Sequence, residues 1–299
     1  MNAPTPLNSK VDSIIELFSS GHIIEALNTV QTLISQYPNE ALLHNISGVC
    51  YKATGQLEMA AQSFKRAVEI KSDFADAHYN LGLTLQELNQ LDDAVKCYLK
   101  ALTIKPDYAE AYNNLGVTLK DLDQLDEAVK CYEKALIIKP DYPEAHNNLG
   151  NALKNLGRAS KAVECFERML TIDPDNAEGH NNLGNTLYVL GQPNAAGKSY
   201  MKALAIEPDY AEAHNNLGIT LNDLGRFEDA EASYHKALAI APHFAEAYSN
   251  LGDMLTDLKR LDEALVSYES AFNLKPDIIF LLGKLLHTKM HLCLWDDLS

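Results

Sequence analysis

Side chains able to do chemistry recur in this sequence at a single interval. Histidines stand at 44, 78, 146, 180 and 214, one or two steps of 34 residues apart, and Tyr112 and Tyr248 share their phase. A row of imidazoles suggests metal. Residues a full period apart, however, are too distant to share one tetrahedral ion at bond lengths of about 2 Å. An aromatic ring packed within its own period accommodates the histidines and the tyrosines alike. His287 and His291 have the i,i+4 spacing of a helix-borne pair, with Cys293 close by, but no fourth ligand accompanies them. Cys97, Cys131 and Cys165 also share a phase, beyond the roughly 7 Å reach of a disulfide. With Cys50 and Cys293 they read as reduced thiols of a cytoplasmic protein. Asn45-Ile-Ser47 is a glycosylation sequon in form only for such a chain. No glycine-rich phosphate loop, nucleophile elbow or Ser/His/Asp triad is present. No catalytic residue, cofactor or metal is expected, and the chain as given is not read as an enzyme.

The chemistry that remains is that of the carboxamide. Asn80, Asn114, Asn148, Asn182, Asn216 and Asn250 form one row at the same interval, and Asn113, Asn147, Asn181 and Asn215, with Asn45, form a second row beside it. Asparagine is a mediocre helix former, so propensity gives little reason to repeat it inside a helix. Each carboxamide offers a donor and an acceptor, which matches the C=O and N–H of a peptide unit. At about 0.5–1.5 kcal/mol net per hydrogen bond, six would hold an extended backbone by several kcal/mol before ordering costs. The competing use of the same residues is to bridge neighbouring helices.

What positions these rows is a repeat. Glycines at 48, 82, 116, 150, 184, 218 and 252 mark the eighth place of 34-residue units that begin at 41, 75, 109, 143, 177, 211 and 245. A degenerate unit at 7–40 precedes them, with Ile14 in place of the glycine. Place 20 is alanine in all eight units, place 24 is aromatic in seven, and place 32 is proline in seven. Glycine and alanine allow two helices to approach while the aromatic fills the space beside them. The proline removes a donor and ends the second helix. Place 15 holds Gly21, Gly55, Asn89, Asp123, Gly157, Gly191 and Gly225, residue types that tolerate the left-handed conformation ending the first helix. Asp107/Glu110, Asp141/Glu144, Asp175/Glu178 and Asp209/Glu212 have capping-box spacing. Pro193 and Gly197 depart from the pattern and make 177–210 the softest unit; Met169 stands where alanine is usual. A period of 34 with this pattern resembles the tetratricopeptide repeat. The resemblance implies an all-α, right-handed superhelical α-solenoid of antiparallel helix pairs. It also implies that places 2, 5, 6, 9, 12 and 13 of the first helix face a concave groove.

Formal net charge is −16, so nucleic acid and anionic membrane surfaces are not expected partners. The groove places carry Asp76, Glu87, Glu110, Asp121, Glu144, Glu178, Glu212, Asp223, Glu246, Asp253 and Asp257 against Lys52, Lys120 and Lys154. An acidic, asparagine-lined groove suits a protein or peptide in extended conformation. It lacks the Lys and Arg with which some tetratricopeptide domains clamp a terminal carboxylate. The N-terminus, 1–6, is expected to be disordered and carries no secretory pattern.

Residues 279–299 change character. The stretch IIFLLGKLLHTKMHLCLW is apolar nearly all round, yet its Lys and His residues are too frequent for a membrane span. A solenoid should end in a polar face, so this segment is expected to meet a second copy or a catalytic domain beyond a junction. Repeats reading PDYAEAHNNLG, followed by LLGKLLHTKMHLCLWDDLS, resemble the N-terminal arm of O-linked N-acetylglucosamine transferases, the bacterial SPINDLY-like members above all. That resemblance implies that the repeats recruit protein substrates through the row at place 6, and that the catalytic region lies past the junction. The alternatives are a stand-alone scaffold, an adaptor or co-chaperone-like protein, and a fragment of an active protein O-glycosyltransferase.

Overall fold

The computed structural model describes residues 6–294, which form 17 α-helices and, among the described residues, no strand. The expectation for 1–6 therefore lies outside the described residues except at Pro6, which opens a helix. The chain divides into two compact units, Met1–Ala152 and Leu153–Ser299. In the first, the antiparallel pairs are α1 (Pro6–Ser19) with α2 (Ile23–Gln36), α3 (Ala41–Ala53) with α4 (Leu57–Ile70), α5 (Ala75–Glu87) with α6 (Leu91–Ile104), and α7 (Ala109–Asp121) with α8 (Leu125–Ile138). Helix α9 (Pro143–Asn155) spans the division. The second unit continues with α10 (Ala159–Ile172), then α11 (Ala177–Val189) with α12 (Pro193–Ile206), and α13 (Ala211–Asp223) with α14 (Phe227–Ile240). It closes with α15 (Ala245–Asp257), α16 (Leu261–Leu274) and α17 (Leu281–His291). The molecule is an all-α solenoid of 34-residue helix pairs.

Each pair is locked by one contact. The rings of Phe64, Tyr98, Tyr132, Tyr200, Tyr234 and Tyr268 are buried against Gly48, Gly82, Gly116, Gly184, Gly218 and Gly252. A Cβ built on any of these glycines would lie 2.6–2.8 Å from a ring carbon. The alanine at place 20 is fully buried in every pair, from Ala26 to Ala264. In the first pair the glycine and aromatic are exchanged for Ile14 and Val30, both fully buried, which fill the same space from the opposite side. A second exchange joins α10 to α11. Met169 replaces the usual alanine, and Gly179 replaces alanine at place 3 of the next unit, where a Cβ would lie 2.5 Å from the methionine Cε. Gly197 is different: its Cβ would meet only Thr220 and Leu217, at 3.7 and 3.9 Å, so the helix pays the entropy of glycine with no steric need for it.

Turns between the paired helices are left-handed at place 15, including Asn89, Asp123 and Lys259 with φ of 57°, 61° and 63°. The last of these is neither Gly, Asn nor Asp. The expected capping boxes are not formed on α7, α11 and α13. Their N-caps are Tyr108, Asn176 and Tyr210, one residue after the aspartate, and only Asn176 accepts from a backbone N–H, that of Gly179 at 2.8 Å. The aspartates therefore sit one place outside the helix, where a side chain no longer reaches the first-turn donors.

The apolar segment after Pro276 forms α17, which packs on α16 in the place that the first helix of a pair takes elsewhere. Leu281 and Leu285 hold places 3 and 7 and are buried with Tyr268 and Ala264, as Ala77 and Leu81 are in their own unit. Its other face leaves Ile279 and Phe280 76% and 81% exposed, with Leu282, Met290 and Leu294 also exposed. Residues 295–299, part of the expected junction, lie outside the described residues.

Two glycine-to-alanine changes should move stability in opposite directions. Gly184→Ala should cost about 1–3 kcal/mol because Tyr200 must shift, while Gly197→Ala should add about 1 kcal/mol; urea midpoints of the two variants check both signs. Met169→Ala and Gly179→Ala should each destabilise, and the double variant should lose less than the sum by about 1 kcal/mol. Strict additivity in a double-mutant cycle would show that the two volumes are not coupled.

Candidate functional site

The first helices of successive pairs touch, α3 with α5 and α5 with α7 in the first unit, α11 with α13 and α13 with α15 in the second. This contact makes them the inner wall of each unit. Both asparagine rows lie on it, but their carboxamides are not idle. In the first unit Asn80 donates to Asn45 Oδ1 at 3.1 Å. Asn148 donates to Asn113 Oδ1 (3.0 Å), Asn113 to Asn114 Oδ1 (3.3 Å), and Asn114 to the Tyr79 hydroxyl (2.9 Å). In the second unit Asn250 donates to Asn215 Oδ1 (3.0 Å) and Asn215 to Asn216 Oδ1 (3.4 Å). Asn216 then donates to both Asn181 Oδ1 (3.2 Å) and Asn185 Oδ1 (3.0 Å). Asn181 donates to Glu212 (3.1 Å), Asn182 to Glu178 (3.5 Å), and Asn147 accepts from Asn151 (3.4 Å).

Burial separates the two rows. Asn113, Asn181 and Asn215 at place 5 are 1–5% exposed and stand behind the wall as bridges. Asn45 and Asn147 are half-buried, as is every asparagine at place 6. For Asn80, Asn148 and Asn250 one N–H is committed inward. The second N–H and the Oδ1 have no partner among the described residues. A carboxamide held by one bond and open on the other side is oriented before any ligand arrives.

The acids of this wall are less free than their number suggests. Glu110 pairs with Lys139 (3.4 Å) of its own repeat instead of closing a capping box, and Glu246 pairs with Lys275 (2.9 Å). Glu87 pairs with Lys52 (2.9 Å), Asp121 with Lys120 (3.4 Å), and Asp253 with Lys284 (2.6 Å). Lys275 holds the Glu246 carboxyl below its usual range. Asp223 receives the Tyr188 hydroxyl, and that bond, with burial, pushes the phenol up to about 12.

The histidines have a structural task that the spacing signals but the residue type alone does not. In each case Nε2 approaches a carbonyl six residues earlier: His44 to Pro38 (2.9 Å), His78 to Ser72 (3.1 Å), His146 to Pro140 (2.9 Å), His180 to Pro174 (3.0 Å) and His214 to Pro208 (2.9 Å). They fasten the turn that joins one unit to the next, and the proline six places ahead is the sequence signal. His287 and His291 face each other with Nε2 atoms 3.1 Å apart. Among the described residues no three His, Cys, Asp or Glu side chains gather as metal ligands. Burial pushes the Cys97 thiol up to about 11 and raises those of Cys50 and Cys131 as well. Among the described residues no helix is long and apolar enough to cross a membrane.

Comparison with known proteins agrees with this geometry. Profiles described as "TPR repeat" match residues 48–89, 85–123, 118–157 and 184–221. Others described as "Tetratricopeptide repeat" match 143–176, 165–198, 211–244 and 245–278. The chain is a tetratricopeptide-repeat protein. This family mediates protein–protein interaction. Among solved structures the repeat protein resembles TTC0263 of Thermus thermophilus, a thermophilic TPR protein, at 27% identity and TM-score 0.51, over 61% of this chain and 99% of that one. YrrB, described as a TPR protein with an unusual peptide-binding site, matches at 24% identity and TM-score 0.53, over 63% and 97%. In the Cut9–Hcn1 hetero-tetramer of APC/C the match covers 93% of this chain and 55% of the other at 16% identity and TM-score 0.63, a likeness of fold. A comparison with curated protein sequences finds no match.

Burial holds His78, His180 and His214 below their ordinary value of 6.5. The bonds to Ser72, Pro174 and Pro208 oppose this, Lys100, Lys202 and Lys236 reinforce it, and Asp175 and Asp209 again oppose it beside His180 and His214. The unfolded chain takes up these protons more readily. Their contribution to stability is therefore full above about pH 6.5 and lost as pH falls through the folded-state values. The urea midpoint should fall between about pH 7 and about pH 5.5. Replacing His78, His180 and His214 by Tyr, which places 112 and 248 already hold, should flatten that slope.

Proposed function

We propose that the inner wall holds another polypeptide in extended conformation, with the place-6 row contacting its backbone. The observation that carries this reading is the half-buried row itself, each carboxamide of Asn80, Asn148 and Asn250 bonded on one side and open on the other. Such groups meet backbone C=O and N–H without reading side chains, so binding is broad and weak. The place-5 asparagines act through the first row by fixing its orientation. Free thiols at Cys50, Cys97, Cys131 and Cys293 suit a cytoplasmic location.

A narrower reading makes this protein the substrate-recruiting arm of an O-linked N-acetylglucosamine transferase-like assembly, with the chemistry in a following region. It is supported by the PDYAEAHNNLG repeats and by the Cys293-Leu294-Trp295 stretch. The exposed face of α17 at Leu282, with Ile279 and Phe280 just ahead of the helix, would then meet that region; in a stand-alone scaffold it would meet a second copy. A reading frame that continues past Ser299 into a nucleotide-sugar-binding domain supports the transferase arm, and a stop codon there supports the scaffold.

Replacing Asn80, Asn148 and Asn250 by Ala should weaken binding to an acetylated, amidated, unstructured peptide of mixed sequence about ten-fold. Helical circular dichroism should be retained, with a modest fall in melting temperature from the lost bridges. An unchanged titration would remove the row from the binding surface.

A further inference from the structure

Side chains 35 residues apart face each other along the inner wall, from place 12 of one unit to place 13 of the next. Lys52 meets Glu87 at 2.9 Å, and the Tyr188 hydroxyl meets Asp223. The partner of Lys154 under this rule is Val189, 69% exposed at the end of α11. Lys154 is half-buried and has no hydrogen bond or ion pair among the described residues, whereas Lys52 and Lys120 each have a carboxylate. In a protein of net charge −16, a groove lysine left without an acid is a local exception.

The exception borders a half-open cleft of about 470 Å³, lined by Lys154, Asn185, Tyr188, Val189, Asn216 and Ile219. Its walls are largely apolar, and Asn185 supplies a second unused donor. The Asn185 Oδ1 accepts from Tyr200 (2.8 Å) and from Asn216 (3.0 Å), which fixes the carboxamide with its Nδ2 outward. That Nδ2 has no acceptor among the described residues. The cleft thus pairs an apolar surface with an ammonium and an amide N–H, the donor set for a carboxylate.

We propose that this cleft is where the groove reads sequence. A branched or aromatic apolar side chain of an extended segment lies against Val189 and Ile219, and the Asp or Glu side chain two residues along, on the same face of that segment, is held by Lys154 Nζ and Asn185 Nδ2. The proposal rests on the groove reading above and adds a partner class to it: an internal segment with an apolar residue and an acidic one two places apart.

The test uses acetylated, amidated Ser/Gly octapeptides with a central Leu-Ser-Glu, Leu-Ser-Gln, Ser-Ser-Glu or Leu-Ser-Lys, titrated against the 299-residue protein, beside the mixed-sequence peptide. Leu-Ser-Glu should bind about five-fold tighter than Leu-Ser-Gln and Ser-Ser-Glu, with Leu-Ser-Lys weakest. Lys154→Met should erase the preference for Glu over Gln and keep that for Leu over Ser. Val189→Asp, which returns a carboxylate to Lys154, should erase both. Both positions lie at the surface of the cleft, so circular dichroism should match the parent. Equal binding of the four octapeptides, or an undiminished preference in Val189→Asp, overturns the subsite while the mixed-sequence peptide still reports on the groove. Binding of a Ser/Gly octapeptide with a free C-terminal Leu, and of no amidated one, overturns the internal-segment reading in favour of a terminal carboxylate. Loss of all peptide binding sinks the groove and the subsite together.

Discussion

The contact of an aromatic ring with a glycine sets the distance between the helices of each pair, and much else follows from that distance. With Tyr132 against Gly116, a Cβ would stand 2.6 Å from the ring, so the space is full and admits no other side chain. The approach it imposes also leaves room only for alanine at place 20, buried in every pair. What is fixed is volume, not residue identity. Ile14 and Val30 fill the first pair from the other helix, and Met169 and Gly179 exchange volumes across a boundary between units. Interiors packed at crystal-like density tolerate such exchanges when the sum is kept.

Regular spacing of the pairs brings a second interval into play. Partners on the inner wall stand 35 residues apart, one period and one residue: Asn80 with Asn45, Asn148 with Asn113, Asn216 with Asn181, Asn250 with Asn215, Lys52 with Glu87. The added residue reflects the offset of one first helix along the next. Through these bonds, buried carboxamides at place 5 satisfy their own polar groups and orient those at place 6. A satisfied network in a low-dielectric wall is stiff, and a stiff binding surface loses less freedom when a ligand is held.

The features legible in the sequence are those whose cause lies within one unit. Period, glycine, alanine, aromatic and the left-handed residue at place 15 each answer to a local steric demand. Asn89 and Asp123 take the positive φ that their types allow, and Lys259 takes it as well although its type gives no sign of it. The capping boxes mislead because Asp107 and Glu110 have the right spacing, but an aromatic one residue later occupies the cap and the glutamate turns to Lys139. The asparagine rows can be located in the sequence but not interpreted. Their partners lie in the next unit, and nothing in a single period distinguishes a carboxamide facing a ligand from one facing its neighbour. The proline six residues before each of four histidines is a usable signal, because the bond it announces spans a single turn.

Recognition of sequence by a repeat array follows a different logic from its folding. A residue present in every unit offers the same contact at every step, which suits a backbone, since a backbone is itself periodic. It cannot favour one segment over another. Specificity must come from the units that break the pattern at the wall without breaking the packing behind it. Gly197 and Met169 depart within the interior and affect stability; Lys154 and Val189 depart on the inner wall, beside rings and carboxamides whose positions the ordinary contacts still hold. Net charge points the same way. The total of −16 disfavours polyanions. At 2.9 Å from Glu87, Lys52 already shows how local neutralisation outweighs that total within a few ångströms. A cation deprived of its acid by one valine therefore alters the local field more than the overall excess of carboxylates does.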